Sequence, residues 1–219
     1  MRNIGKSSAL AVALLLQGVC AFAAEPVRHI SIYVQPYYEA AERAGQRPQV
    51  AIGGSLSGLL ASTRREDILT ARDKIVAEPK LVTPMTMMVL AIRLYDVGLR
   101  DDAVFWFYVA EDRYITLSQV IDIEDSGLSQ VGDAVQSFAT LAGPIINGYA
   151  FCDLARQKDL RAKALAWVEQ DPYQAIFMDR LTAKPGSRAD NLKAAIRAVR
   201  QSVDNEQAYF ADTKRAANF

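Results

Sequence analysis

Residues 83–114 read TPMTMMVLAIRLYDVGLRDDAVFWFYVAEDRY, and this stretch decides the fold. It parses as two helices joined by a tight turn. Thr83 is placed to cap the first helix, and Pro84 suits the first helical position, where its missing N–H costs nothing. Gly98 supplies the left-handed residue on which many helices end. Between them Met85, Met87, Met88, Val89, Leu90, Ile92, Leu94, Tyr95 and Val97 cover almost every direction around the axis. A helix apolar all round is a buried helix. Arg93 is the one charge inside it and must reach a partner. The second helix opens at Asp101 and Asp102, where the helix dipole favours carboxylates. Phe105, Trp106, Phe107 and Tyr108 follow in a row, and neighbours about 100° apart cannot share one face. This helix is therefore packed on more than one side. The predicted core is Met88, Leu90, Ile92, Tyr95, Ala103, Phe105 and Trp106 around the Gly98 turn, with Trp167 joining from a later helix. Asp96 and Arg100 flank the turn, and Asp96 is expected to pair with Arg93 or Arg100 and fix the hairpin angle.

Ahead of this pair, the first 23 residues read as an export signal. Arg2 and Lys6 form a basic start, Ala9 to Leu16 an apolar run, and Ala21-Phe22-Ala23 a small-residue cleavage site. Lipidation at Cys20 is the competing reading, but Gln17-Gly18-Val19 lacks the usual apolar residue three places before the cysteine. The short apolar run and basic start look bacterial, so the expected destination is periplasmic or secreted, with no stable membrane insertion after cleavage. The remaining 196 or so residues suffice for one domain with a sizeable core. Of 25 basic residues the signal removes two, leaving 23 against 25 acidic ones. That balance offers no basic patch for nucleic acid and no polybasic membrane motif. Cys152 is then the only thiol, so the chain relies on packing rather than a disulfide. Its apolar surroundings, Ile145 to Phe151, predict a buried small hydrophobe rather than a reactive group.

The rest of the chain reads as helices. Residues 24–35 are an extended lead-in, in which Ile30-Ser31-Ile32-Tyr33-Val34 alternates but finds no partner strand. Pro36 to Ala44 is a short helix stopped by Gly45. Residues 49–62 are ambiguous between a strand at Val50-Ala51-Ile52 and a loop, with Gly53 to Gly58 a flexible connection. Thr63 and Glu66 form a capping box for a helix ending at Ala77, before Pro79. Leu128 to Leu141 is helical, Gly143-Pro144 breaks it, and a new helix runs from Pro144 to about Gln157. Leu160 to Gln170 follows, then a helix capped by Asp171 with Pro172 at its first position. Pro185-Gly186 ends that one. Ser187 or Asp190 caps a last helix on which Leu192, Ala195, Ile196, Val199 and Val203 recur at helical spacing. The class is all-α: an irregular bundle of stacked helical hairpins, eight or nine helices, spanning 36–215 as a single domain with a tail at 216–219.

Two helix starts echo one another. Leu99-Arg100-x-x-Ala103-x-x-Trp106 matches Leu160-Arg161-x-x-Ala164-x-x-Trp167. The small alanines admit a neighbouring helix, and the tryptophans fill the space between hairpins. Leu94-Tyr95-Asp96-Val97-Gly98 followed by Ala103-x-x-Trp106-Phe107-x-x-Ala110 resembles a unit of the Sel-type branch of the tetratricopeptide solenoids. The likeness covers about residues 91–110, with a partial echo at 160–168. The connection from Gly98 to Ala103 is shorter than in that pattern, and Ile92 stands where it has glycine. The resemblance implies a protein-binding scaffold rather than an enzyme.

Catalytic groups are scarce. His29 is the only histidine and lies close to the cleavage site, which leaves no serine or cysteine partnership for it. One histidine and one thiol cannot make a zinc site. Leu56 occupies the place where a nucleophile elbow needs serine, and the Gly53–Gly58 stretch lacks the Gly-Lys-Ser/Thr ending of a phosphate loop. Asp122-x-Glu124-x-Ser126-Gly127-x5-Asp133 mimics calcium-loop spacing. Glu124 and Asp133 have the wrong lengths for their places and Ser129 replaces the apolar anchor, so a solvated acidic loop is the expectation. Glu111, Asp112 and Asp153 are the carboxylates nearest the central helices and the one route to glycoside or peptidoglycan cleavage. No cofactor, metal ligand or catalytic residue is nominated. The expected function is an exported, non-catalytic protein-binding module, such as an inhibitor, an immunity protein or an envelope adaptor. A carboxylate-dependent hydrolase acting on the cell wall is the alternative.

Overall fold

The computed structural model describes residues 54–216, which hold seven α-helices, one 3-10 helix and no strand. The export signal, the 24–35 lead-in, the 36–44 helix and the 50–52 strand all fall outside the described residues, as does the chain beyond 216. The all-α class is observed.

Helix α1, Gly54–Ala61, and helix α2, Arg65–Ala77, lead in to the central pair. The glycine-rich stretch is therefore helical and not a flexible connection: Leu56 and Leu60 bury one face of it in the core. On α2 the buried residues Ile68, Ala71 and Ile75 make a single stripe. The Thr63–Glu66 capping box does not form. Arg64 is the N-cap and gives no side-chain cap. Ser62 takes over the turn, accepting from the Arg64 N–H at 3.1 Å and donating to Asp67 at 2.6 Å.

Helix α3, Pro84–Asp96, and helix α4, Arg100–Val120, form the hairpin at the centre. Thr83 caps α3 through its hydroxyl, which accepts from the Thr86 N–H at 3.1 Å. Every residue of α3 but Asp96 is buried. Its exit is a Schellman motif: the Gly98 N–H reaches the Tyr95 carbonyl at 3.0 Å, and the Leu99 N–H reaches Leu94 at 2.8 Å. The motif needs φ > 0 at Gly98, which sits at +81°. Met88, Leu90, Ile92, Tyr95, Ala103 and Trp106 are buried as expected; Phe105 and Trp167 are half-buried against them, and Gly98 is exposed at the turn.

Arg93 and Asp96 pair at 3.3 Å with side chains only 5% and 9% exposed. Arg93 also donates to the Ser62 carbonyl, which ties α3 to the end of α1. Arg100 instead lies over the rings of Tyr95 and Tyr149, at 5.5 and 5.6 Å. A double-mutant cycle on Arg93→Met and Asp96→Asn should give a coupling of about 1–2 kcal/mol, since a shielded charged hydrogen bond is at stake. The parallel cycle with Arg100 should stay within additivity error. Coupling under about 0.3 kcal/mol in the Arg93 arm would leave the turn held by Gly98 and apolar packing.

Helix α5, Ser129–Phe151, runs straight through Pro144. The expected break at Gly143-Pro144 is absent because Val135, Phe138, Ala142, Ile146 and Ala150 form one buried stripe across the proline. Continuous packing outweighs the roughly 3 kcal/mol that an internal proline costs. The break comes instead at Cys152-Asp153, and helix α6, Leu154–Gln170, starts there with Asp153 accepting from the Arg156 N–H at 3.0 Å. Asp171-Pro172 does not open an α-helix. Only a 3-10 turn, Gln174–Phe177, follows, held by a 2.9 Å bond from the Gln174 N–H to the Lys80 carbonyl. Helix α7, Arg188–Ala216, is capped by Ser187, whose hydroxyl accepts from the Asp190 N–H at 3.4 Å. Its Leu192, Ala195, Val199 and Val203 are buried and Ile196 packs partly beside them. Helix α4 touches α3, α5, α6, α7 and the 3-10 turn, so it is the axis of the assembly.

Candidate functional site

Four helices meet in a polar junction beneath the core. Asp112 on α4 has no exposed surface, and Arg161 on α6 grips both its carboxylate oxygens, through Nη1 to Oδ2 and through Nη2 to Oδ1 at 2.7 Å. The guanidinium also lies 5.0 Å from the Tyr108 ring centroid, one helical turn earlier on α4. The Tyr108 hydroxyl donates to Asn147 on α5 and accepts from Gln157 on α6, both at 3.2 Å. Gln157 Nε2 donates to Glu206 on α7 at 2.6 Å, and its Oε1 accepts from Gln207 at 2.9 Å.

Electrostatics divide the acids of this junction. Burial pushes the Asp112 carboxyl up, and the hydrogen bonds of Arg161 pull it back. For Arg161 burial works against the charge, but the bonds and charge of Asp112 outweigh it and raise its pKa. Two parallel charge-assisted bonds make this an ion pair. Glu111 is half-buried and has no hydrogen-bond partner among the described residues. Burial pushes its carboxyl up to about 7, against the pull of Arg161 and with a further push from Asp112 and Glu206. Burial likewise raises Tyr108 to about 12.

A second buried cation is the next residue of α4. Arg113 has no exposed surface and, among the described residues, forms no salt bridge. Its guanidinium lies between the rings of Trp167 and Tyr173, at 5.2 and 5.0 Å, and donates to the Asp171 carbonyl at 3.1 Å. Burial lowers its pKa to about 10. Aromatic faces and a carbonyl here do the work of a counter-ion.

The surface site lies at the α3–α4 turn. Gly98, Leu99, Arg100, Asp101, Asp102 and Tyr149 line a shallow depression. Two guanidiniums lie over the Tyr149 ring, that of Arg100 and that of Arg156 at 4.5 Å from its centroid. Its hydroxyl donates to Asp101 at 2.9 Å, and Asp102 pairs with Arg72 of α2 at 3.0 Å.

The carboxylates proposed from sequence thus separate. Glu111 and Asp112 lie in the junction, while Asp153 is spent as the cap of α6. His29 lies outside the described residues. Asp122 accepts from the Glu124 and Asp125 N–H groups at 3.1 and 3.0 Å, so its carboxylate shapes the loop after α4. Cys152 is exposed, not buried: it occupies the C-cap of α5, where the chain turns away from the core. Tyr108, Asn147, Gln157, Arg161 and Glu206 were not nominated. One signal was available: Gln157 and Arg161 stand in line with Ala164 and Val168 at helical spacing, so the buried face of α6 begins with two polar residues.

No family model matches the chain, and no solved structure matches it. No helix among the described residues is long and apolar enough to cross a membrane. A protein of Haemophilus influenzae described as "Uncharacterized protein" is 32% identical over 202 residues, which cover 92% of this chain and 78% of that relative. The chain belongs to the same protein family as this Haemophilus influenzae relative.

Proposed function

We propose that the protein is an exported, periplasmic protein-binding module without catalytic activity, acting as an inhibitor, an immunity protein or an envelope adaptor. The basic and apolar start of the chain and its Ala21-Phe22-Ala23 site support export. The observation that carries the binding reading is the depression at the α3–α4 turn, with Arg100 and Arg156 both over the Tyr149 ring. Tyrosine and arginine are the residue types that dominate interface energetics. A ring already fixed in place has less rotamer freedom left to lose on binding. The tagged mature protein and its Tyr149→Ala variant should be passed over the same envelope extract. The expected result is a partner held by the wild type and lost by a variant whose circular dichroism is unchanged. Nothing above background, or equal capture by both, defeats the reading.

A carboxylate-dependent hydrolase remains the second reading, favoured by one observation: the raised carboxyl of Glu111, without a hydrogen bond among the described residues, has the character of a general acid. The chemistry needs a second free carboxylate. Asp112 is engaged on both oxygens by Arg161, and Glu206 is bonded to Gln157. Release of soluble fragments from peptidoglycan by the wild type, abolished by Glu111→Gln, would establish hydrolysis; no release would dismiss it.

A further inference from the structure

Three charged side chains line the depression at the α3–α4 turn, and two of them are already paired. Asp101 accepts from the Tyr149 hydroxyl at 2.9 Å and lies 3.4 Å from Arg156 Nε. Asp102 meets Arg72 Nη1 at 3.0 Å, while the other two nitrogens of Arg72 go to the exposed Asp73. Arg100 is the third. Among the described residues it makes no hydrogen bond and no salt bridge, and its half-buried side chain meets only rings. The guanidinium lies over Tyr95 of α3 at 5.5 Å and over Tyr149 of α5 at 5.6 Å. Those two rings stand nearly perpendicular, 81° apart with centroids at 6.4 Å, so the cation rests in an aromatic corner. Tyr95 is buried and the Tyr149 hydroxyl is tied to Asp101, which fixes both walls. A ring face attracts a cation but supplies no acceptor oxygen, so the N–H fork of Arg100 stays unspent.

We infer that Arg100 anchors an acidic side chain of the protein partner, an aspartate or glutamate carboxylate from a segment laid across the depression. This rests on the binding reading above and names the chemistry that the turn recognises. A guanidinium with its fork free matches a carboxylate in two parallel bonds. The aromatic corner holds the arginine in place beforehand, so less side-chain freedom is lost when the carboxylate arrives. Charge complementarity selects the anion. One unspent cation stands beside two aspartates, which suits a single carboxylate. A phosphate brings a charge of about −1.5 to −2 and meets more repulsion from Asp101 and Asp102. The depression, about 460 Å³ and open to solvent, admits a few side chains and lets a chain run across it. Leu99 and the Tyr149 ring give the residues beside the acid an apolar surface to lie on.

The test titrates the full mature chain with two acetylated, amidated peptides, Gly-Leu-Glu-Leu-Gly and Gly-Leu-Gln-Leu-Gly, followed by nuclear magnetic resonance. The glutamate peptide should saturate in the millimolar range or below and shift the signals of Arg100, its Nε–H included, together with those of Leu99 and Tyr149. The glutamine peptide should bind about tenfold or more weakly, because a neutral amide forgoes the charge-assisted bonds. Arg100→Gln should remove the difference between the peptides. Arg100→Lys, which keeps the charge and loses the fork, should recover only part of it. No saturation by the glutamate peptide, equal binding of both, or a preference that survives Arg100→Gln overturns the inference. So does tighter binding of inorganic phosphate, or of a peptide whose only carboxylate is its C-terminus. The two peptides are compared on the wild type, so a substitution that unfolds the chain leaves the test decisive. Arg100→Gln also joins the extract experiment. A partner kept by Arg100→Gln and lost by Tyr149→Ala defeats the acidic anchor and leaves the binding reading standing. An extract that yields no partner defeats the binding reading, and the titration then judges the anchor by itself.

Discussion

Trp106→Ala lowers the free energy of unfolding by about 3–5 kcal/mol, the range for truncating a large buried aromatic. The residue is 2% exposed and lies on the helix that every later helix touches. It packs edge-on against Phe105 at 5.3 Å and against Trp167 at 5.4 Å between ring centroids. The rings come from α4 and α6, with Ala103 and Ala164, both fully buried, one turn before them. Little can collapse into the void, because α3 and α5 are held by their own buried stripes. Trp167→Ala should cost less, since that ring is half-buried, although it also strips Arg113 of one aromatic face. Denaturant titrations of both variants check the order. A loss below about 1 kcal/mol for Trp106→Ala would mean that the central hairpin is not the core.

Asp112→Ala should cost about 3 kcal/mol, the low end for removing one partner of a buried ion pair. The penalty is the cationic guanidinium of Arg161, left 7% exposed with its bidentate acceptor gone. Glu111 and Glu206 lie close enough to Arg161 to soften the loss, which places the effect at the low end. The paired substitution Asp112→Leu with Arg161→Met removes both charges together. It should return to within about 1 kcal/mol of the wild type, because apolar replacements of similar size often match a buried pair in stability. A single variant that loses under about 1 kcal/mol, or a double variant as unstable as the single, would show that the pair is not what holds α4 to α6.

The central hairpin was legible in the sequence because its determinants are local. Thr83, Pro84 and Gly98 act on the residues next to them, and the all-round apolar pattern of α3 needs no knowledge of the neighbours. The two tryptophan motifs also carried real geometry, since their rings meet. The misread points are those where packing overrides local chemistry. Pro144 should end a helix, yet the stripe from Val135 to Ala150 keeps α5 whole. Asp171-Pro172 looks like a helix start, yet the segment is drawn to the Lys80 carbonyl and turns only once. Cys152 lies in an apolar run but falls at the C-cap of α5, where the chain turns away from the core. The polar junction was out of reach for a different reason. Tyr108, Asn147, Gln157 and Glu206 are scattered over four helices, and no spacing rule links residues whose contact depends on how those helices cross.

The edge-on meeting of Trp106 and Trp167 also gives the molecule an optical property of its own. Two indoles at that separation, on different helices, share their excited states, and a chiral arrangement of coupled chromophores yields a paired signal in ultraviolet circular dichroism. The signal belongs to the contact and not to either ring, so it disappears when α4 and α6 part even if both helices survive. With no other tryptophan in the chain, the native protein reports the integrity of its own centre without a label.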